Sequence, residues 1–305
     1  MTTAAGGSTF SGKGGATGQK QSLLDVLKLT VLDATYFVNN ISESMKPLNP
    51  THLYNQDTLS NPGALTLIEG QAISLSAPAE LTQATNWVEE IGVAYSISDV
   101  MAETEYGGAS NRVMYETKKA LKKLGMAIER ALILSTGYSG TSAAGRVMKG
   151  LGTHCTATTG VTGAGTSGTA FSTTASGQSK VDEVLELMFE NGAPANVMVV
   201  SAFNARMISQ WTAYATRQFN TEGTTQGVYI ETYRTNFGKV KVVVSTYQAD
   251  TLVNLIDENE FYINYMVRPK TIQVAKVNYA TDFAVYAAAT NEARVAAAFG
   301  NVTLS

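Results

Sequence analysis

A chain of 305 residues that is 44% hydrophobic has the apolar mass for a sizeable core, which excludes a disordered protein and fits one large domain or two smaller ones. A net charge of −3 and a pI near 5.5 exclude a protein that grips nucleic acid over its whole surface, leaving room only for a local basic face. A single cysteine, Cys155, excludes an internal disulfide framework and fits a reducing compartment. No apolar run approaches the ~20 residues of a membrane span, and the N-terminus lacks the apolar stretch of a secretory signal.

The first 21 residues are small and polar and contain no acid. Within them GGSTFSGKGG, Gly6 to Gly15, falls one residue short of a phosphate-cradling loop. Gly14 stands where a Ser or Thr would hold magnesium, no strand precedes Gly7, and no helix opens after Lys13, so a nucleotide site is not expected. A helix is expected from Ser22 to about Asn40, with Leu23, Leu24, Leu27, Val31 and Leu32 as its apolar stripe. From Pro47 to Asn111 there is no Lys or Arg, while eight acids fall there. Turn signals at Asn61-Pro62-Gly63 and Glu69-Gly70 separate expected strands at Ala64–Ile68, Ala72–Leu75 and Gly92–Ile97, a long excursion with little core of its own.

The strongest helix is expected from about Ser110 to Ser135, ~37 Å long. Val113, Ala120, Leu121, Leu124, Ala127, Ile128, Ala131 and Leu134 mark its apolar side, and Lys118, Lys119, Lys122 and Lys123 its basic side. No aromatic residues alternate with these lysines, so a nucleic-acid stacking platform is not expected. Residues 135–179 are rich in Gly, Ser and Thr, and the dinucleotide-like match Gly163-Ala-Gly165-Thr-Ser-Gly168 lies too far from the next helix to serve a pyrophosphate. Thereafter a helix at Lys180–Glu190, a buried strand at Asn196–Val200 and a helix from Ser201 to about Phe219 are expected. Strands at Val228–Tyr233, Val240–Ser245, Leu252–Ile256 and Phe261–Tyr265 suggest an antiparallel meander, followed by strands at Thr271–Val277, Phe283–Ala289 and Ala293–Phe299. The fold class is α+β with mixed order.

Catalytic chemistry has little to stand on. The two histidines, His52 and His154, lack the spacing of a metal site, no nucleophile elbow occurs, and Cys155 would need a base from a distant segment. No catalytic, cofactor-binding or metal-binding residues are assigned, and the protein is not expected to be an enzyme.

The order of segments resembles the major capsid protein of tailed bacteriophages, whose fold is shared with encapsulins and the herpesvirus capsid floor. The resemblance is carried by Asn86-Trp87 leading to Val93–Ser98, by Met126-Ala-Ile-Glu129-Arg-Ala-Leu-Ile133, by Arg146-Val-Met-Lys-Gly-Leu151, by Glu231-Thr-Tyr233 with Asn236-Phe237-Gly238-Lys239-Val240, and by Asn291-Glu292-Ala293. It implies an N-terminal arm over 1–45, an extended β loop over 46–105, a peripheral domain with a long spine helix over 106–179, an axial domain over 180–266, and C-terminal strands over 267–305 returning to the peripheral domain. It further implies self-assembly into hexamers and pentamers of an icosahedral shell enclosing double-stranded DNA, assembly in the host cytoplasm, separate scaffold, portal and decoration proteins, and no membrane partner. An encapsulin-like shell and a phage tail or decoration protein remain alternatives. If the extended loop lies over a neighbour as in that family, Glu69, Glu80, Glu89 and Glu90 approach Lys118, Lys119, Lys122 and Lys123 of the next subunit. Relatives that cross-link through a loop lysine have an amine that 47–111 lacks.

Overall fold

The computed structural model describes residues 35–57, 69–70, 81–103, 112–141, 144–156, 161–164, 175–209, 211, 232–274, 276 and 279–303. Most of the expected arm with its helix from Ser22, the strands at Ala64–Ile68 and Ala72–Leu75, Glu80, the Gly165–Gly168 part of the dinucleotide-like stretch, and residues 212–231 lie outside the described residues.

A short helix α1 (Tyr36–Asn40) buries Phe37. Strands β1 (Thr51–Gln56) and β2 (Thr82–Trp87) then pair antiparallel as a two-stranded ribbon in which His52 faces Asn86, a pairing that the turn signals alone do not reveal. After Val88 the chain enters β3 (Glu89–Ser98), where Ile91, Val93, Tyr95 and Ile97 alternate inward with the period of two that a strand imposes. Helix α2 (Asp99–Glu103) follows, and then the spine helix α3 (Arg112–Leu134). Its buried face is Ala120, Leu124, Ile128, Ala131, Leu132 and Ile133, whereas Leu121 and Leu134, expected on that face, are exposed. Their positions fall at the margin of a stripe narrower than the apolar composition suggests.

Strands β4 (Thr136–Tyr138) and β5 (Val147–Lys149) form a small hairpin, helix α4 (Leu151–Thr156) buries His154 and Cys155, and β6 (Val161–Ala164) occupies part of the segment expected to be loop. Helix α5 (Ala175–Glu190) begins five residues before the expected Lys180. Strand β7 (Val197–Val200) is buried at all four positions, and α6 (Ala202–Ile208) is capped by the Ser201 side chain, which accepts from the Asn204 amide. The remaining strands are β8 (Thr232–Thr235), β9 (Gly238–Val244), β10 (Leu252–Ile256), β11 (Phe261–Gln273), β12 (Ala280–Ala293) and β13 (Phe299–Thr303).

These strands do not form the expected meander. They make a six-stranded mixed sheet in the order β6-β13-β10-β7-β9-β8 and a three-stranded antiparallel sheet in the order β11-β12-β3. Among the described residues, only β8 and β9 form a hairpin within the expected meander. The reason is β7: its uninterrupted apolar run Val197-Met-Val-Val200 suits a strand covered on both faces, and it inserts between β9, to which it is parallel, and β10. The segment expected as a strand at Ala293–Phe299 instead holds a 3-10 turn at Ala296–Ala298. Phe299 starts β13, which leaves the three-stranded sheet that β12 belongs to and pairs with β10 and β6 in the larger one.

Two packed clusters result. One joins Phe37, α3, α4 and the three-stranded sheet, with Phe261 and Phe299 in edge-to-face contact at 5.9 Å. The other lies between α5 and the six-stranded sheet, where Gly300 admits the helix: a Cβ there would stand 2.7 Å from Val184 Cγ1 and 2.8 Å from Met188 Sδ.

Candidate functional site

Where the ribbon leaves the body, two successive residues of β12 gather chain segments from across the sequence. Asn291 is fully buried. Its Oδ1 accepts from Asn86 Nδ2 at 2.8 Å and from His154 Nε2 at 2.7 Å, and its Nδ2 donates to the Lys149 carbonyl at 2.6 Å. Asn86 Oδ1 closes the circuit by accepting from the Lys149 amide at 2.8 Å. One side chain thus ties β2, β5 and α4 together. Because Oδ1 can only accept, His154 carries its proton on Nε2, and burial lowers the imidazole to about 4, so the ring is neutral near pH 7.

Glu292, next along β12, is 2% exposed and receives His52 Nε2 at 2.6 Å and Arg294 Nε at 3.0 Å. Burial alone raises its pKa, but hydrogen bonds and charge from His52 and Arg294 outweigh this and hold the carboxyl below its ordinary range. A depressed carboxylate contributes stability that is present above its unfolded-state value and is lost as pH falls through the folded one. The difference in unfolding free energy between the native chain and Glu292→Gln is therefore expected to be full near pH 7 and to narrow below about pH 4.5. Urea titrations at several pH values check this; a difference that stays constant down to about pH 3 contradicts it.

A second carboxylate works on the spine helix. Glu129 sits buried on the apolar face of α3 and accepts from the Phe37 and Val38 amides, both at 2.9 Å, so the spine helix caps α1. Burial pushes its pKa up, opposed by those amides. Tyr36 meanwhile donates to Glu258 Oε2 at 3.3 Å and lies under the Lys241 ammonium, 4.7 Å from the ring centroid, tying α1 to the larger sheet. Sequence reasoning missed Glu129, Asn264, Asn291 and Glu292 as organising residues. The available signal was a polar side chain on an otherwise apolar face, as at Glu129 between Ile128 and Ala131.

The residues expected at a subunit contact are placed as follows. Lys118, Lys122 and Lys123 are exposed on α3, while Lys119 is partly exposed and paired with Glu116 at 3.0 Å. Glu69 is exposed in a turn closed by Gly70, whose φ is +82°. Glu90 pairs with Arg146 at 3.2 Å, and Glu89 turns inward to accept from the Met148 amide at 3.1 Å, its pKa raised by burial. No group of three His, Cys, Asp or Glu is poised for a metal among the described residues. Burial pushes the Cys155 thiol up, away from the thiolate that nucleophilic chemistry uses. Among the described residues no helix is long and apolar enough to cross a membrane.

The chain is similar to the capsid protein of a native GTA particle, with 14% identity and a TM-score of 0.69 over 97% of this chain and 99% of that one. It is similar to a protein of Gordonia phage Cozz, with 11% identity and a TM-score of 0.63 over 99% of this chain and 96% of that one. In Cyanophage A-1(L), a chain of the capsid asymmetric unit matches with 10% identity and a TM-score of 0.68 over 93% of this chain and 96% of that one. The fold is therefore that of phage capsid proteins. No curated protein matches. A family model, described as SU10 major capsid protein, matches residues 6–304, and the chain belongs to that family. It is a structural protein of a phage capsid, and its partner in the shell is itself.

Proposed function

We propose that this chain builds a closed icosahedral shell of hexamers and pentamers around the double-stranded DNA of a tailed phage, assembled in the host cytoplasm. The genome is enclosed without sequence-specific contacts, and scaffold, portal and decoration functions belong to separate chains. In this reading β1 and β2 are the base of the extended loop. The spine helix with the three-stranded sheet is the peripheral domain and the six-stranded sheet with α5 and α6 the axial domain, a division that moves β6 and β13 out of the peripheral part expected over 106–179 and 267–305.

The observation that carries the reading is the ribbon. One of its faces, with His52, Tyr54 and Asn86, is buried on the subunit's own body. Its other face leaves Leu53 exposed by 48%, and beside it Leu48 and Leu81 are exposed by 83% and 58%. Such a feature is stabilised when a neighbouring copy covers it. Replacing Leu53 and Leu81 together by Ser is expected to leave subunit stability within about 0.5 kcal/mol per site and to cut the shell yield severely. Full shell yield from the doubly substituted chain, measured by sedimentation, overturns the reading.

The charged faces belong to the same proposal. Glu69 and Glu80, with Glu89 and Glu90 nearer the ribbon root, lie toward Lys118, Lys119, Lys122 and Lys123 of the next copy. Glu89 and Glu90 have partners in their own chain, which leaves Glu69, exposed in its turn, as the described acid of this set that faces solvent. Each exposed pair contributes about 0–1 kcal/mol, screened over ~8 Å at physiological salt, and repetition around a shell makes the sum appreciable. Reversing Lys118 and Lys122 to Glu is expected to impair assembly while preserving subunit helix content, and reversing Glu69 and Glu80 to Lys in the same chain to restore it partly. Normal assembly of the lysine-reversed chain at low salt contradicts the pairing.

A further inference from the structure

The Glu292 carboxylate holds more than the ribbon. Besides His52, its Oε1 accepts from Asn264 Nδ2 at 2.5 Å. That bond fixes which way the Asn264 amide points, and its free Oδ1 then accepts from the Ser44 amide at 2.9 Å and the Met45 amide at 3.2 Å. Arg294, which holds Glu292 Oε2, also donates to Ser44 Oγ. The Ile263 amide donates to the Ser42 carbonyl at 3.1 Å, laying residues 42–45 along β11. The segment that arrives from the N-terminus through α1 and the root of the ribbon are therefore joined by a route through one buried carboxylate: backbone 44–45, Asn264, Glu292, His52.

We propose that Glu292 is a positioning residue that couples the two extensions of the subunit, so that the track of the incoming N-terminal segment and the setting of the ribbon change together. Its bonds suit it to this role. An Asn264 Nδ2 left buried and unpaired is costly, so the orientation that presents Oδ1 to residues 44 and 45 is favoured while Glu292 accepts from Nδ2. The carboxylate in turn is held on the ribbon side by the His52 ring, which is 5% exposed. A buried network of charge-assisted bonds redistributes when one member moves, because each group left unpaired is costly in a medium of low dielectric. Coupling is reciprocal: whatever seats the ribbon favours one placement of 42–45, and the reverse. In a shell, and here the inference rests on the function proposed above, a neighbour that captures one extension prepares the other for its own neighbour.

The test uses the unassembled full chain, so its outcome does not depend on shell formation. His52 touches neither the Ser44 nor the Met45 amide. Replacing His52 by Gln is nevertheless expected to speed hydrogen exchange at those two amides about tenfold or more, while the Phe37 and Val38 amides held by Glu129 exchange as before. Unchanged exchange at Ser44 and Met45 in the folded His52→Gln chain overturns the coupling, as does a uniform rise that includes Phe37 and Val38. Should that variant fail to fold, Arg294→Lys removes the guanidinium from the partly exposed end of the network. It is expected to speed exchange in β1 and β2, which Arg294 does not touch through any bond described above. Exchange confined to residues 42–45 in Arg294→Lys overturns the proposal by the reciprocal route. Coupling observed in a chain that never forms shells leaves this inference standing and removes the function proposed above.

Discussion

Replacing Asn291 by Leu is expected to lower the unfolding free energy of the unassembled subunit by about 2–6 kcal/mol, whereas replacing Asn301 by Val is expected to leave it unchanged or raise it. Both asparagines are fully buried, so burial does not separate them. Their partners do. Removing the Asn291 amide takes a partner from the His154 Nε2–H, the Lys149 carbonyl and the Asn86 Nδ2, at about 1–3 kcal/mol for each group left buried and unpaired. Neither the side-chain nitrogen nor the oxygen of Asn301 has a partner among the described residues, so an apolar residue there removes a polar group that is unsatisfied among them. Urea unfolding of the two variants decides the matter, with equal slopes required for the comparison. Equal losses at both positions would show that the circuit around Asn291 contributes nothing specific.

A second large effect is expected at Gly150, in the turn that links β5 to α4. A Cβ at this position would lie 2.6 Å from the Ser135 nitrogen, 2.7 Å from the Ser135 oxygen and 3.0 Å from the Ala131 oxygen, all backbone atoms at the end of the spine helix. They cannot rotate away as a side chain could. The Gly150 amide also donates to the Ser135 carbonyl at 2.6 Å, and the Gly150 carbonyl receives the Thr153 and His154 amides. Gly150→Ala is expected to cost about 1–3 kcal/mol through overpacking, and more if these bonds open. Gly145→Ala, where a Cβ meets nothing within 4 Å, is expected to stay within about 0.5 kcal/mol of the native chain. Thermal or urea unfolding that ranks the two alike would refute the close approach.

The parts of the fold that were legible in the sequence are those governed by neighbours along the chain. The spine helix shows in the spacing of Ala120, Leu124, Ile128 and Ala131, and β3 shows in the alternation from Ile91 to Ile97. The all-apolar run of β7 was legible as a buried strand, but its position between β9 and β10 was not, because strand order depends on which distant edges meet. The meander expected from short connections failed for that reason. The ribbon was hidden because its two strands are separated by the segment from residue 57 to 81, and each is polar in composition. The organising polar residues were least visible. Asn86 meets Asn291 across 205 positions, His52 meets Glu292 across 240, and Glu129 meets Phe37 across 92. A buried amide or carboxylate looks in sequence like any surface residue until its partner is known. The motifs Asn86-Trp87, Arg146–Leu151 and Asn291-Glu292-Ala293 suggested a family without revealing that they touch. The structure gives the physical content: they are three sides of one hydrogen-bonded junction.

The proposed function requires this subunit to close into a shell with copies of itself. Electron microscopy of the purified chain over a range of salt and concentration, together with particles from phage lysates, tests it most directly. Closed particles of uniform curvature, with five- and six-fold clusters of the subunit in the reconstruction, are the predicted result. A chain that stays monomeric under every condition and is absent from the particles in lysates would contradict it.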